Sequence, residues 1–209
     1  MAKQARNDSN VAIIGEVVQN GMFAYESDGE NFYEILIKVA NFQTALIGNV
    51  TFLPVIISER ILKNVQSCKG ERIFLSGCIY SYAKKAENGR SRLELKIVAQ
   101  SLSQPGDLED QVIASMRGYL CKQPIVKKTD DGKTLVNALL CLRRDEHISD
   151  YIPMICTSTM AKGLKGISVG DTIAAIGVIE GQSSKESKDK GDLKMIMTSC
   201  KKVPPKPQN

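Results

Sequence analysis

Apolar and polar residues alternate through several short stretches of the chain, and a period of two is typical of half-buried β-strands. In FYEILIKVA the alternation places Tyr33, Ile35, Ile37 and Val39 on one face. The segment SERILKNVQS differs, because its apolar residues are spaced for a short helix. The other predicted strands of the first half are NVAIIGEVV, TFLPVIIS, ERIFLSGCIYSY and SRLELKIVA. We expect GMFAYESDGEN, after the first strand, to be a turn-rich loop.

The second half of the chain repeats this order of elements. Pro54 matches Pro153 at an offset of 99, and KGERIFLSGCI matches VGDTIAAIGVI at an offset of 100. Gly15 matches Gly118 at an offset of 103, a drift that small loop insertions produce. The predicted elements are ASMRGYLC, TLVNALLCLRR, YIPMICT, a short helix or turn at STMAKGLKG, DTIAAIGVI and LKMIMTS. The chain is therefore a tandem duplication of a unit of about 100 residues.

The order β-β-β-α-β-β in a unit of this length indicates the OB-fold, a five-stranded Greek-key barrel. A ferredoxin-like unit would need two long helices, for which the repeat has no room. We therefore predict an all-β chain of two tandem OB-fold barrels. The expected boundaries are an N-terminal barrel at 1–104, a linker at 105–110, a C-terminal barrel at 111–203 and a short, basic, disordered tail at 204–209.

Aromatic and basic residues share the predicted outer face of the first unit. In its fourth strand Ile73, Leu75 and Ile79 are predicted to face the core, whereas Tyr80 and Tyr82 face outwards. Aromatic rings beside basic groups suit single-stranded nucleic acid, because each base offers a face for stacking and each phosphate a charge. The alternative for Tyr80 is burial under a neighbouring unit or subunit.

Basic residues are concentrated between the predicted strands, in the loops with which OB-folds take hold of oligonucleotides. The natural role of such residues is salt-sensitive contact with phosphates, although solvated surface is the alternative for each of them. In the second unit Arg143 shares a face with Asn137, and Arg144, at the strand end, can point either way. The candidates for phosphate contact are Lys84, Lys85, Arg90, Arg92, Lys127, Lys128, Arg143 and Arg144.

Composition narrows the class of protein further. The net charge of +5, from 28 Lys+Arg and 23 Asp+Glu, permits a polyanionic partner. The 6 cysteines form no C-x-x-C pair, and the single histidine, His147, has no cysteine nearby, so we expect no metal and no cofactor. No apolar run is long enough to span a membrane, and the first residues are unlike a signal peptide. We therefore expect a cytoplasmic protein without a membrane partner.

The motifs of the second unit resemble the bacterial single-stranded DNA-binding protein family. They are GYLCKQPIVKKTDDGKTLVNALLCLRR, DYIPMICTSTMAKGL and SVGDTIAAIGVIEG. The first unit looks like a more divergent version, so the chain is similar to the two-OB members of Firmicutes and their mobile elements. The resemblance covers about residues 10–200.

The resemblance implies roles for particular residues. Phe52 and Tyr151, which begin the third strands, would stack bases, as would Tyr80 and Tyr82. Either Arg143 or Arg144 would be the arginine that ends the second strand. Four OB-folds per particle are common in the family, which implies a homodimer of this chain.

The chain departs from the family at several points. Ser58 and Thr157 stand where a further aromatic is usual at the end of the third strand, and there is no tryptophan. The final residues KKVPPKPQN lack the acidic tail through which the family recruits other proteins. These departures predict weak binding per unit and argue against recruitment through such a tail.

The favoured function is that of a sequence-tolerant protein that coats and protects single-stranded DNA in replication, recombination or repair. The alternatives are an OB-fold interaction or mediator module with weak DNA binding, and an RNA-binding variant. The motifs of common enzyme classes, such as a phosphate-binding glycine loop, H-E-x-x-H or G-x-S-x-G, do not occur. We therefore expect no catalytic activity.

Overall fold

The structure is a computed structural model, and it describes residues 7–40, 50–63, 69–85, 91–130, 132–145, 147–157, 164, 166–181 and 193–205. The elements of the first unit are β1 (Ser9–Ser27), β2 (Glu30–Ala40), β3 (Val50–Ser58), α1 (Glu59–Lys63), β4 (Arg72–Lys85) and β5 (Ser91–Ser103). Those of the second unit are β6 (Gln111–Leu120), β7 (Ile125–Lys128), β8 (Thr134–Arg143), β9 (Ser149–Thr157), β10 (Thr172–Glu180) and β11 (Lys194–Lys202). These boundaries confirm the predicted order of strands.

The first unit, residues 7–103, is a closed barrel. Its strands follow one another in the order β1-β2-β3-β5-β4, and β4 pairs with β1 to close the ring. The pairs are antiparallel except for β3 with β5, which run parallel. The alternating apolar residues point inwards, so that Ile35, Ile37 and Val39 are at most 1% exposed. Helix α1 lies between β3 and β4, where the sequence predicts it.

The second unit, residues 111–203, has the same topology with one interruption. Strands β6 and β7 together take the place of β1, and both pair with β8. The parallel pair is β9 with β11, the counterpart of β3 with β5. The predicted helix or turn at STMAKGLKG falls mostly outside the described residues. The two units are thus tandem OB-folds, as the repeat predicts.

The matching glycines of the two units lie where one strand passes close to another. A Cβ at Gly77 would clash with the carbonyl oxygen of Val98, and one at Gly177 would clash with that of Ile196. Each glycine also coincides with a register shift in its strand pair. Only a residue without a Cβ fits such a close approach, which explains why the repeat keeps glycine at both positions.

The segment GMFAYESDGEN forms a β-hairpin, so its prediction as a loop is wrong. Strand β1 continues to Ser27 and pairs with β2 through Ser27 and Glu30. The turn between them is Asp28–Gly29, whose φ angles are 52° and 75°. Positive φ at both positions is the requirement of a tight hairpin turn, and Asp-Gly satisfies it well.

The two barrels are joined edge to edge into one continuous sheet. Strand β1 pairs with β6 in an antiparallel register that sets Val11 opposite Ala114. These two residues are also counterparts in the repeat, because their numbers differ by 103, as do those of Gly15 and Gly118. An approximate twofold axis therefore passes between Val11 and Ala114 and relates the two barrels. No described helix is long and apolar enough to cross a membrane.

Candidate nucleic-acid interface

The outer face of the second barrel presents Tyr151 and Arg143. Tyr151 is 43% exposed and lies opposite Cys141 on the neighbouring strand β8. Arg143, at the end of β8, is exposed as well. Lys127 extends this surface, because it pairs with Leu135 on the same face of β8, whereas Lys128 is exposed on the opposite face of the sheet. The structure thus brings an aromatic ring and two basic groups, Arg143 and Lys127, to one barrel face.

The corresponding face of the first barrel presents Phe52. Its ring is partly exposed and lies beside Lys38, its partner across the β2–β3 pair. Lys69 lines the same shallow cleft. Glu16 is also there, with a carboxylate oxygen 3.8 Å from Nζ of Lys38, so part of the charge is balanced. Phe52 is the counterpart of Tyr151 at the repeat offset of 99, and its surroundings contain a carboxylate as well as two basic groups.

Tyr80 points away from the barrel core as predicted, but it is buried, so its predicted role as a base-stacking residue requires correction. The side chain is 2% exposed and packs with Ile56, Cys78 and Val98 in a small cluster on the outer side of the sheet. Burial raises the pKa of Tyr80 to about 12. The alternation along β4 does point this ring away from the barrel core, but neighbouring segments cover it. A ring without an exposed face cannot stack on a base, so Tyr80 is left out of the candidate interface.

Tyr82, two residues along β4, lies at the edge of that cluster and is 37% exposed. Two cations approach its ring: the guanidinium carbon of Arg144 lies 5.7 Å from the ring centroid, and Nζ of Lys96 lies 5.8 Å from it. Partial burial raises the pKa of the Tyr82 hydroxyl above its usual value. The ring is therefore held in place by its neighbours and remains partly accessible to a base.

Arg144 does not point to solvent, although the sequence allowed it to point either way. Its guanidinium forms an ion pair with Asp150, in which Nε lies 3.0 Å from Oδ2 and Nη2 contacts Oδ1. The same guanidinium lies 4.5 Å from the centroid of the Tyr80 ring. The hydrogen bonds from Arg144 to Asp150 raise the pKa of the arginine. Arg143 is therefore the better candidate for phosphate contact.

Asp150 connects the two barrels. Its carboxylate is fully buried and accepts hydrogen bonds from Nδ2 of Asn7 and from the main-chain amide of Ser81, both at 2.7 Å. The amide of the next residue, Tyr151, donates to Oγ of Ser81 at 2.8 Å. Ser81 belongs to β4 of the first barrel, Asp150 and Tyr151 belong to β9 of the second, and Asn7 precedes β1. We call this contact, formed by Ser81, Asp150 and Tyr151, the first seam.

A second seam lies at the equivalent place on the other side of the twofold axis. The amide of Gly181, which follows β10, donates to Oγ1 of Thr51 on β3 at 2.9 Å. A Cβ at Gly181 would clash with the carbonyl oxygen of Phe52. The aromatic residue of each third strand, Tyr151 or Phe52, therefore lies beside a strand end of the other barrel.

The sequence reasoning missed the aromatic residues of the β1–β2 hairpin. Phe23 is 63% exposed, and its ring meets that of Tyr33 edge-on with centroids 6.2 Å apart. Tyr25 stacks on Phe32 at 4.9 Å, on the opposite face of the hairpin, because a register shift separates Phe23 from Tyr25. The available signal was the Asp-Gly turn with aromatics on both sides, which favours a hairpin.

Three predicted basic residues, Lys84, Lys85 and Arg92, lie at the described ends of β4 and β5. Lys84 pairs with Arg92 in the backbone register, next to Lys85. Arg90 lies outside the described residues. Within the described part of the chain, no group of three His, Cys, Asp or Glu side chains could hold a metal ion.

The fold is similar to solved structures of the single-stranded DNA binding protein from Thermus aquaticus. The wild-type structure aligns with a TM-score of 0.73 at 16% identity, covering 98% of this chain and 97% of that chain. A deletion mutant of the same protein aligns with a TM-score of 0.75 at 15% identity, covering 98% of each chain. At this identity the likeness establishes the fold, including the arrangement of two barrels in one chain. No protein-family model and no curated protein sequence matches the chain.

Proposed function

We propose that this chain binds single-stranded DNA without strong sequence preference and so coats and protects exposed strands. The observation that carries the proposal is the position of Tyr82 and Tyr151, two accessible rings on either side of the first seam, beside the exposed Arg143. Stacking tolerates every base, because each has an aromatic face, and it contributes about 1–3 kcal/mol per base in such sites. The similar structures are of a single-stranded DNA binding protein, which supports the same reading.

Phosphate contacts would come from the basic residues around these rings. Arg143, Lys127 and Lys128 are exposed on the second barrel, Lys84, Lys85 and Arg92 belong to β4 and β5, and Arg90 lies between these strands in the sequence. Phe52, with Lys38 beside it, would extend the path of the DNA strand onto the first barrel. Such contacts release counterions, so affinity must fall as salt rises. In this proposal the protein binds DNA and has no catalytic activity. It would act in the cytoplasm in replication, recombination or repair.

A titration of labelled oligo(dT) with the purified chain tests this function. We expect tight binding to the single strand, weak binding to a duplex of the same length, and a log–log salt slope of about −0.7 per phosphate contacted. An oligo(U) of equal length in the same assay measures the preference between DNA and RNA. Equal and weak binding to single strand and duplex would contradict the proposal and favour a protein-interaction module.

We also propose that the chain forms a homodimer through the outer face of the joined sheet. Ile113 on β6 and Ile176 on β10 are 46% and 49% exposed there, on either side of Ser115. Exposed isoleucines suit contact with a second copy of the chain, because large apolar side chains left open on one chain gain free energy when another chain covers them. Sedimentation equilibrium should give twice the chain mass of 22.9 kDa, and Ile113→Lys should give the monomer. A monomeric unmodified chain would contradict the dimer.

A further inference from the structure

The first seam ties together two strands from different barrels, each of which carries an accessible aromatic ring beside the seam. Tyr82 directly follows Ser81, whose Oγ accepts the amide proton of Tyr151 at 2.8 Å. Tyr82 points outwards from β4 and Tyr151 points outwards from β9, with 37% and 43% of their surface exposed. The main chains that carry the two rings are therefore tied together by a hydrogen bond, although the residues are 69 positions apart in the sequence.

The position of Tyr82 is fixed from the second barrel. The guanidinium of Arg144 lies 5.7 Å from its ring centroid and is itself held by Asp150. Asp150 also accepts the amide of Ser81, so one buried carboxylate orients both the cation and the strand that carries the ring. Although Lys96 also approaches this ring, 37% of the Tyr82 side chain stays exposed and can meet a base. The second barrel thus positions a stacking residue of the first.

The second seam lacks the matching pair of rings. At the repeat offset of 100, the counterpart of Tyr82 is Gln182 and that of Tyr80 is Glu180. At the second seam the amide of Gly181 donates to Thr51, whereas at the first seam the amide of Ser81 donates to the charged Asp150. Phe52 therefore stands at its seam without a tyrosine from the other barrel. The two seams are equivalent in the repeat. The first seam has Tyr82 and Tyr151, and the second seam has Phe52.

We propose that Tyr82 and Tyr151 form one base-stacking subsite shared by the two barrels, so that single-stranded DNA crosses from one barrel to the other at the first seam. This inference rests on the proposed function and adds to it a location. Each chain has one such shared subsite, and Phe52 acts at the second seam as an independent, weaker contact. Arg144 and Asp150 are positioning residues of the subsite.

A double-mutant cycle with a short oligonucleotide tests the shared subsite. The ligand is oligo(dT) of about six nucleotides, near the lower end of the length that one OB-fold holds. Tyr82→Ala and Tyr151→Ala should each weaken binding about fivefold or more, and the double variant should be little weaker than either single one. The control cycle combines Phe52→Ala with Tyr151→Ala and uses an oligo(dT) long enough to reach both seams, for which the two losses should multiply. Losses that multiply for Tyr82 and Tyr151 as well would overturn the shared subsite.

A cross-linking experiment on the unmodified chain gives a second test that no loss of folding can disturb. An oligo(dT) with a single central iododeoxyuridine is irradiated with the protein, and the attached peptides are identified by mass spectrometry. We expect that one nucleotide position to attach to both the Tyr82 and the Tyr151 peptide. Attachment to one of the two with none to the other contradicts the inference while leaving the proposed function intact. Absence of binding to any single strand would instead refute the proposed function itself.

Discussion

The main-chain amide of Ser81 donates to Oδ1 of Asp150 over 2.7 Å, and it does so across the junction of two barrels. Gly181, the counterpart of Ser81 in the repeat, donates to Thr51 over 2.9 Å in the same manner. The duplicated chain therefore makes the same connection twice, once with a buried carboxylate and once with a hydroxyl. The carboxylate can bind further groups, and it binds Asn7 and Arg144. The first seam is consequently the more strongly organised of the two.

Replacing this carboxylate should destabilise the protein. In Asp150→Asn the charge of Arg144, whose side chain is 15% exposed, loses its partner in a largely buried place. Removing one member of a buried ion pair is strongly destabilising, and we expect the free energy of unfolding to fall by about 3 kcal/mol. Urea unfolding of the variant and the unmodified chain gives this difference.

Two further variants make that result specific. Asp150→Asn combined with Arg144→Met removes both charges and should recover part of the lost stability. Asp171→Asn removes a surface carboxylate that is paired with Lys202, and it should have a much smaller effect. An unchanged free energy of unfolding in Asp150→Asn would contradict the role of Asp150 at the seam.

Most of the fold could be predicted from the repeat. The strands follow the local alternation of apolar residues, and the close approaches between strands require glycine. The inward faces of β2 and β4 follow from the period of two, and Gly77 and Gly177 mark matching close approaches. The candidate site was harder to predict because exposure depends on what covers a strand from outside. Tyr80 points away from the barrel core as expected, yet Arg144 from the other barrel lies over it. Alternation gives the direction of a side chain, and only the assembled fold tells whether solvent reaches it.

The buried ring of Tyr80 predicts a late ionisation at high pH. Its pKa of about 12 in the folded protein exceeds the ordinary value of 10.0, so the folded chain holds the phenol proton more tightly than the unfolded chain. The resulting stabilisation is complete below about pH 10 and is lost as the pH rises towards about 12. In Tyr80→Phe the last step of tyrosinate absorbance should disappear and less stability should be lost over this range.

Tyr151→Phe is the matched control for that titration. Its ring is 43% exposed, so its removal should leave the late step in place. Stability is compared by urea unfolding at about pH 9 and about pH 11, on either side of the ordinary tyrosine pKa. A late step that persists in Tyr80→Phe would mean that another tyrosine is responsible for it.

The repeated glycines should tolerate no side chain. Gly77→Ala and Gly177→Ala each place a Cβ against a backbone carbonyl oxygen of the neighbouring strand, which cannot rotate away. We expect each variant to lose about 1–3 kcal/mol of unfolding free energy, the usual cost of overpacking. Gln111→Ala, at an exposed position of β6, should change stability by less than about 0.5 kcal/mol in the same urea experiment. Similar values for all three variants would contradict the close approach.

Arg143 and Arg144 should differ in what their removal changes. Arg143→Gln removes an exposed charge and should reduce the magnitude of the log–log salt slope for oligo(dT) binding by about 0.7, the value for one lost phosphate contact. Arg144→Gln breaks the ion pair with Asp150 and should lower the stability instead, with the slope unchanged. The two readouts are oligonucleotide titrations at several salt concentrations and urea unfolding. An exchange of these effects would mean that Arg144 is the arginine that meets phosphate.

Phe23 should contribute to DNA binding although it contributes little to the fold. Its ring is 63% exposed at the edge of Tyr33, so Phe23→Ala removes a stacking surface and should weaken oligo(dT) binding by about 1–3 kcal/mol. The free energy of unfolding should change by less than about 0.5 kcal/mol, as for other surface positions. Met22→Ala is the control, because Met22 is 52% exposed on the same hairpin and offers no aromatic face. Equal losses of affinity in both variants would mean that the hairpin acts through its apolar surface, and unchanged affinity in both would place it outside the interface.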